Sequence, residues 1–321
     1  MRTKIVYTLV SDEGDNYYEQ ALMSMHSLRH YHPQSTVVEL VVDERTINTL
    51  KGKREGIKNY VSLITIIRVP NEFDKKQSSR YLKTNLRKFI KGDYLFIDCD
   101  TIICKPLSNI DKIGAPIAMV ADLNGKLKLT DKSIIKRCED GGLGNLEGMP
   151  YFNSGVIYAK DTPEVHHFYE EWHKNWKLSA ENGVTFDQPA LCKTNADNGL
   201  IIKELPGVWN CQFKYTQGYK YLSDAYIMHY FNPNGKEAWT YPTDMILERI
   251  KATGRIDPIT NNLLRHPQTN LYAVMSINKD SAYRFFNSDM TYIYFCQPRL
   301  YKTIASISKV LSRFSRFIHF R

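Results

Sequence analysis

The chain has 321 residues, of which 43% are hydrophobic and 24% are charged, and 43 Lys and Arg against 34 Asp and Glu give a net charge of +9. This length and composition are those of a globular protein with one large domain and smaller additions, and they exclude an intrinsically disordered chain. No secretory leader precedes the first predicted strand, and no apolar run approaches the roughly 18 residues of a membrane span. A cytoplasmic protein is therefore expected.

The cysteine and histidine patterns exclude the common zinc motifs. The six cysteines form no C-x-x-C pair and no zinc-type spacing, which predicts free thiols in a reducing cytosol. No H-E-x-x-H motif is present, so the sequence contains no sign of a zinc hydrolase.

The first hundred residues alternate between short apolar runs and segments of helical period. Strands are predicted at 4–11, 36–42, 61–69 and 94–97, and helices at 16–31, 45–57 and 79–91. This alternation predicts an α/β domain whose first strands are parallel and joined by crossover helices.

The middle of the chain repeats the alternation with a long interruption. Strands are predicted at 115–121, 151–159, 200–205 and 226–231, with helices over 162–178 and from 186 onward. The polar segment 122–149 is predicted to be a loop or short-helix excursion of the kind that often forms a lid. Gly155 interrupts a strand pattern, which indicates a bend or the close approach of another group.

Beyond Pro242 the chain is predicted to be mainly helical, at 244–253, 263–275 and 281–295. We therefore divide the chain into a first domain over 1–241, a small helical region over 242–297 and a terminal helix over 298–321.

The terminal segment is basic and amphipathic. No acid follows Asp289, whereas six Lys and Arg do, and apolar residues recur every three or four positions, at Leu300, Ile304, Ile307, Leu311, Phe314 and Ile318. Such a helix is suited to an anionic bilayer, and the alternative is a helix packed on the protein body. No nucleic-acid-binding module accompanies the charge, so no nucleic-acid partner is expected.

The most informative stretch follows the predicted strand at 94–97, where Asp98 and Asp100 flank Cys99. Residues i and i+2 of an extended chain point to the same side, so the two carboxylates can converge. Two carboxylates this close repel unless a cation lies between them, which indicates a divalent-metal site at the carboxyl edge of the sheet. The simplest alternative is a polar turn.

A second alternative is a phosphatase, because FIDCDT also fits the Asp-x-Asp-x-Thr nucleophile motif of haloacid-dehalogenase-type enzymes. Those enzymes carry the motif near the N-terminus and need a later lysine and an acidic loop. Neither the position at 98 nor any acidic loop downstream supports this alternative.

Other motifs stand around the aspartate pair in a definite order. S-S-R-Y-L-K at 78–83 precedes it, and Y-F-N-S-G-V at 151–156, F-D-Q at 186–188, W-N at 209–210 and I-M-H-Y-F-N-P-N-G-K-E-A-W at 227–239 follow. In this order the chain from about residue 5 to 239 resembles glycosyltransferase family 8, the family of bacterial lipooligosaccharide galactosyltransferases and glycogenin. The resemblance implies the GT-A fold, a Rossmann-like mixed sheet flanked by helices.

The resemblance also implies a retaining hexosyltransferase that moves galactose or glucose from a UDP-sugar to a cell-surface glycan or lipid-linked acceptor, as in lipopolysaccharide or capsule biosynthesis. Mn²⁺ or Mg²⁺ would be held by Asp98, Asp100 and His229, the histidine of the late H-Y motif, and the nitrogen donor favours Mn²⁺. Such an ion stabilises the charge of the leaving diphosphate. A sugar-nucleotide-binding protein without turnover is the non-enzymatic alternative.

The resemblance places a second group of residues at the nucleotide. Arg80 matches an arginine near the nucleotide and donor sugar, with Lys83 as the alternative, and Thr8 matches a position near the uracil and ribose. Asp12 or Asp15 is expected at the base, and Cys99 belongs to the same set. Lys236 is expected over the phosphates, although its N-P-N-G-K loop is longer than the G-x-x-K-P-W loop of the family.

The third group is expected at the sugar. Asn153 would face the donor sugar and the acceptor, Asp187 would contact the sugar hydroxyls, and Gln188 would lie under the reacting carbon. The D-Q-P sequence also fits the start of a helix with Asp187 as the N-cap residue.

Overall fold

The computed structural model describes residues 1–213, 216–231, 244–265, 267, 293 and 297–319. The strands are β1 Lys4–Leu9, β2 Val38–Asp43, β3 Leu63–Ile67, β4 Tyr94–Ile97, β5 Thr101–Ile103, β6 Ile117–Ala121, β7 Phe152–Ala159, β8 Ile202–Glu204 and β9 Ile227–His229. The α-helices are α1 Tyr17–Tyr31, α2 Glu44–Thr49, α3 Lys75–Thr84, α4 Leu86–Phe89, α5 Lys132–Asp140, α6 Pro163–Glu181, α7 Asp187–Asp197, α8 Asp244–Thr253, α9 Pro258–Arg265 and α10 Pro298–His319.

Seven strands form one mixed sheet in the order β3-β2-β1-β4-β7-β6-β8. β1 pairs in parallel with β2 and β4, and β2 pairs in parallel with β3. β7 runs antiparallel to both of its neighbours, β4 and β6. β5 and β9 form a separate antiparallel pair. The predicted α/β architecture with a mixed sheet is confirmed.

The central strands are apolar on both faces because each face is covered by its own core. Ile5, Tyr7 and Leu9 of β1 lie in one core, and Val6 and Val10 lie in the other. Burying an aliphatic side chain of this size stabilises a fold by about 1.5–3 kcal/mol. This explains why these strands appear in the sequence as continuous apolar runs without alternation.

Two of the predicted helices are interrupted. The segment 45–57 forms α2 and then a 3₁₀ helix, Gly52–Tyr60, whose first residue has a φ of +55°. The helix predicted at 79–91 begins earlier, at Lys75, and divides at Asn85 into α3 and α4. Asp74 sets this earlier start, because its carboxylate accepts the Gln77 N–H in a capping box.

The C-terminal helices are partly described. α8 confirms the helix predicted at 244–253, whereas the next helix begins earlier than predicted, at Pro258. α8 and α9 contribute to the same core as α1, through Ile246, Leu247, Ile250 and Leu264. The boundary predicted at 241 and the helix predicted at 281–295 fall outside the described residues, apart from the single residue 293 within that helix. The three-part division therefore stays a prediction.

The last segment is helical, as predicted, over Pro298–His319. Among the helices that the structure describes, none combines the length and apolar character that crossing a bilayer requires.

Candidate functional site at the carboxyl ends of β1 and β4

A cavity of about 830 Å³ opens where β1 and β4 end. Asp98 and Asp100 line it together with Cys99, and α3 contributes Lys75, Lys76 and Arg80. The aspartate pair and the basic helix that precedes it in the chain therefore meet at one cavity. This volume lies within the range of pockets that bind small molecules.

The two aspartates and His229 converge, although 129 positions separate Asp100 from His229. Asp98 directly follows β4, and the register of β5 with β9 sets Thr101 opposite His229. One ligand atom from each of the three side chains lies within 4.8 Å of the others. Two carboxylate oxygens and an imidazole nitrogen are donors that Mn²⁺ accepts, so these residues fit the predicted metal ion.

The sequence predicts that another group comes close to the backbone at Gly155, and in the structure that group is the His229 ring. A Cβ atom on Gly155 would lie 2.3 Å from Cε1 of the His229 ring. The Gly155 carbonyl also accepts the Asp98 N–H at 2.7 Å. This stretch of β7 therefore supports both the first aspartate and the histidine, and only glycine leaves room for the ring.

Two cations of α3 lie next to the aspartates: Arg80 lines the cavity, and Lys83 is buried behind it. Lys83 Nζ is 2.8 Å from Asp98 Oδ1 and 3.7 Å from Asp187 Oδ2, and it donates to the Ser154 carbonyl. Arg80 Nε is 3.1 Å from Asp187 Oδ1. Arg80 and Lys83 thus share Asp187 as a partner, and Lys83 also pairs with Asp98. Which of the two cations contacts the nucleotide stays a prediction.

Asp187 connects these cations to α7. Its carboxylate is buried and accepts the Ser154 hydroxyl at 2.7 Å. Burial by itself raises the pKa of Asp187, but the charges of Lys83 and Arg80 and the Ser154 hydroxyl lower it to about 2. The helix begins at Asp187 with Phe186 as its N-cap residue, so the alternative of Asp187 as the cap is wrong.

A third acid, Asp122, brings Asn153 and Gln188 together, and the sequence analysis did not select it. Gln188 Nε2 donates to Asp122 Oδ1 at 3.0 Å and to the Phe152 carbonyl at 3.0 Å. Asn153 Nδ2 donates to the same Asp122 oxygen at 3.1 Å. Burial raises the pKa of Asp122. The available signal was the one that identified Asp98, an acid directly after a buried apolar strand.

The turn that follows Asp122 contains two residues other than glycine with positive φ angles. Leu123 and Asn124 have φ values of 55° and 51°, in the left-handed region that costs a residue other than glycine about 1 kcal/mol or more. Gln212 holds the turn: its Oε1 accepts the Leu123 N–H, and its own N–H donates to Asn124 Oδ1, both at 2.7 Å. The segment that follows Asn210 thus supports the position of Asp122.

The remaining nucleotide candidates are less well placed. Among the described residues, Asp15 and Cys99 line the cavity but Thr8 and Asp12 do not. The Thr8 carbonyl accepts the Cys99 thiol at 3.2 Å, and the Asp12 carboxylate lies 2.6 Å from Lys75 Nζ. Lys236 lies outside the described residues.

No protein-family model and no curated protein matches the chain. Solved structures do match. The bifunctional glycosyltransferase WbbM superposes with a TM-score of 0.52 and 14% identity over 88% of this chain and 51% of its own. GlyE of Streptococcus pneumoniae gives 0.50 and 15% over 84% of this chain and 64% of its own. An active-site mutant of LgtC gives 0.50 and 15% over 78% of this chain and 95% of its own.

The fold is that of the GT-A glycosyltransferases. The chain spans about half the length of WbbM and less than two thirds of GlyE. At these identities the likeness shows the GT-A fold, and the chemistry of the chain has to be argued from its own site.

Gly155→Ala tests the packing between β7 and the His229 ring. Because the added methyl group overlaps the ring, we expect Mn²⁺ affinity to fall by about tenfold or more, together with a loss of about 1–3 kcal/mol of stability. Mn²⁺ titration calorimetry and thermal unfolding measure the two effects. Gly114→Ala is the control, since a Cβ atom there meets nothing within 4 Å. Unchanged Mn²⁺ affinity in Gly155→Ala would contradict the packing argument.

The pKa of Asp187 predicts a pH dependence of stability. Its folded-state pKa of about 2 lies below the ordinary value of 3.8, so its contribution is complete above pH 4 and is lost as the pH falls toward 2. Relative to Asp187→Asn, the wild type should lose about 2 kcal/mol of unfolding free energy over this interval. Urea denaturation at pH 2, 3, 4 and 7 measures the difference. Parallel curves for the two proteins would show that Lys83 and Arg80 do not stabilise the carboxylate.

Proposed function

We propose that the protein is a metal-dependent, retaining glycosyltransferase that moves a hexose, galactose or glucose, from a UDP-sugar to a glycan or lipid-linked acceptor. The observation that carries the proposal is the convergence of Asp98, Asp100 and His229 at a cavity lined by basic residues of α3. The GT-A fold supports it, and the retaining outcome follows from the family resemblance.

The cavity suits the diphosphate of a nucleotide sugar. Lys75 faces Asp12 and Asp15 at 2.6 and 2.9 Å, so the acids next to it already balance its charge. Lys76 forms no ion pair with any described residue, and its ammonium lies 3.9 Å from the centre of the Phe186 ring. Lys76 therefore offers the cavity a positive charge that is in direct contact with no carboxylate of the described chain, which favours an anionic ligand.

Asp98, Asp100 and His229 would hold the metal ion. A bound Mn²⁺ would supply positive charge to the leaving diphosphate. Lys83 keeps Asp98 in place through its 2.8 Å ion pair, and its side chain is only 2% exposed. A buried ammonium with two carboxylate partners resists displacement, so Asp98 is held in position before any ligand binds.

In the part of the site that would bind the sugar, Asp122 and Asp187 hold the neighbouring polar and charged side chains in place. Both hydrogens of the Gln188 amide have acceptors, Asp122 Oδ1 and the Phe152 carbonyl. Its carbonyl oxygen accepts no hydrogen bond from the described residues and is therefore the atom left for the substrate. Asp187 is 3% exposed and holds Arg80 and Lys83, so we assign it the positioning of these cations in place of direct contact with the sugar hydroxyls.

The proposal is tested by UDP release from UDP-galactose and UDP-glucose in the presence of Mn²⁺. Asp100→Asn should lower release by roughly 100-fold or more, because the site loses a charged metal ligand. Asp224→Asn removes an aspartate that is 77% exposed and pairs with Lys105 at the surface, and it should leave release unchanged.

Two results would reject the proposal. Hydrolysis of p-nitrophenyl phosphate without UDP release would identify the phosphatase alternative. Binding of Mn²⁺ and UDP without turnover of any UDP-sugar would identify the non-enzymatic alternative.

We further propose that α10 holds the enzyme on the anionic inner face of the cell membrane, beside a lipid-linked acceptor. Ile307, Val310 and Leu311 are 55%, 62% and 63% exposed, so this apolar face is uncovered by the described part of the chain. Lys302 and Lys309 lie on the same helix, and no acid occurs beyond Asp289. Apolar side chains together with unopposed positive charge are suited to an anionic bilayer surface.

Ile307→Ser combined with Leu311→Ser tests this attachment in the full-length chain. Each change removes apolar surface whose insertion stabilises binding by about 1.5–3 kcal/mol, so sedimentation with anionic lipid vesicles should fall by about tenfold or more. Leu200→Ser combined with Ile259→Ser is the control, because these side chains are also exposed, at 49% and 63%, but lie elsewhere. Equal sedimentation of the two double variants would contradict the role of α10.

A further inference from the structure

We infer that Asn210 is a positioning residue that holds the His229 ring in the tautomer whose Nε2 lone pair faces the metal site. The inference rests on the proposed function, since it concerns the ion that Asp98, Asp100 and His229 would bind. It follows from the direction of a hydrogen-bond chain that begins at a peptide N–H group and ends at Asp100.

The chain begins at Asn153. Its Oδ1 atom accepts the backbone N–H of Gly155 at 2.9 Å. A peptide N–H group can only donate, so this contact identifies which end of the Asn153 amide is oxygen. The other end, Nδ2, lies 3.1 Å from the Asp122 carboxylate, an acceptor, which agrees with this orientation.

The next link is Asn210. Its Nδ2 atom lies 2.8 Å from Asn153 Oδ1 and must be the donor there, because that oxygen can only accept. The oxygen of Asn210 therefore faces the opposite way, 3.0 Å from Nδ1 of His229. An amide oxygen requires a hydrogen on its partner, so the network assigns the ring hydrogen of His229 to Nδ1.

The last link is the contact between His229 Nε2 and Asp100 Oδ1, at 3.1 Å. With its hydrogen on Nδ1, the neutral ring presents a lone pair at Nε2 to a carboxylate oxygen. Two acceptors at this distance repel each other, and either a second proton on the ring, at Nε2, or a metal ion bound to both atoms removes the repulsion. While the ring is neutral, the direction of the whole chain therefore favours a metal ion at the position that the two aspartates share.

Burial makes this orientation costly to change. Asn153, Asn210 and His229 are 4%, 0% and 2% exposed, so water cannot replace a broken link. An unsatisfied buried donor or acceptor costs about 1–3 kcal/mol. The Asn124 side chain also donates to the Asn210 carbonyl at 2.9 Å, which holds the backbone of this residue in place.

The first test is made on the metal-free wild type and uses one variant only to assign the signals. Long-range ¹H–¹⁵N spectra of the metal-free wild type, recorded at a pH at which the His229 ring is neutral, should show the hydrogen on Nδ1. A hydrogen on Nε2 would overturn the inference. His229→Gln identifies the signals of this ring by their loss.

The second test measures affinity for Mn²⁺ alone by electron paramagnetic resonance. Asn210→Leu keeps the branched shape of the side chain but removes the acceptor, so the ring can move its hydrogen to Nε2 and donate to Asp100. We expect Mn²⁺ affinity to fall by about 10- to 100-fold. Asn210→Asp retains an acceptor for Nδ1–H and should recover most of the loss. Wild-type affinity in Asn210→Leu, or equal loss in both variants, would overturn the inference, as would a wild type that binds no Mn²⁺.

Asn195→Leu separates this effect from general destabilisation. Asn195 is 1% exposed, and its Oδ1 accepts the Ile202 N–H at 3.1 Å, far along the chain from the metal ligands. This variant should lose stability but keep wild-type Mn²⁺ affinity.

Tautomer and Mn²⁺ affinity are measured without a sugar nucleotide. A wild type with the predicted tautomer but no UDP-sugar turnover would therefore reject only the proposed function, whereas active protein with the other tautomer would reject only this inference.

Discussion

The site depends on three acids at the edge of one sheet, Asp98, Asp122 and Asp187, each of which has to be paired with a cation or hydrogen-bonded. Asp98 and Asp122 follow buried apolar strands, and Asp187 precedes a buried apolar segment of α7. Negative charges so close together repel, and each has its own compensation. Lys83 pairs with Asp98 and also lies near Asp187, and Arg80 pairs with Asp187. Asp122 is instead satisfied by the amides of Asn153 and Gln188.

The antiparallel strand β7 has a central part in this arrangement. It lies between β4 and β6, so it carries Asn153, Ser154 and Gly155 between the aspartates that follow those two strands. Each of the three residues has a different partner: Asp122, Asp187 and the His229 ring. Because β7 is antiparallel to β4 and β6, its first residues lie beside the ends of those two strands, where the aspartates follow.

Much of the fold, and the edge of the sheet at which the site forms, could be predicted from local patterns in the sequence. Apolar runs located the strands, and the acids at strand ends located the edge where the site forms. Helix boundaries were less predictable: the first turn of α3 is polar, so its start depends on the Asp74 capping box, and no apolar period signals it. β5 was missed because its three residues directly follow the aspartate pair, and its pairing with β9 depends on a contact far along the chain.

The sequence by itself determined the residue types: two carboxylates one residue apart after a buried strand, a basic helix before them, and motifs whose order resembles glycosyltransferase family 8. Only the tertiary structure decided which of these residues meet. It gave Lys83 a second partner, Asp98, that Arg80 lacks, and it brought Asp122 into contact with Asn153. It also linked Asn210 to Asn153 and paired Asp12 with Lys75. The reason is physical, because charge pairing and the direction of hydrogen bonds depend on distances of about 3 Å between residues that are far apart in the chain.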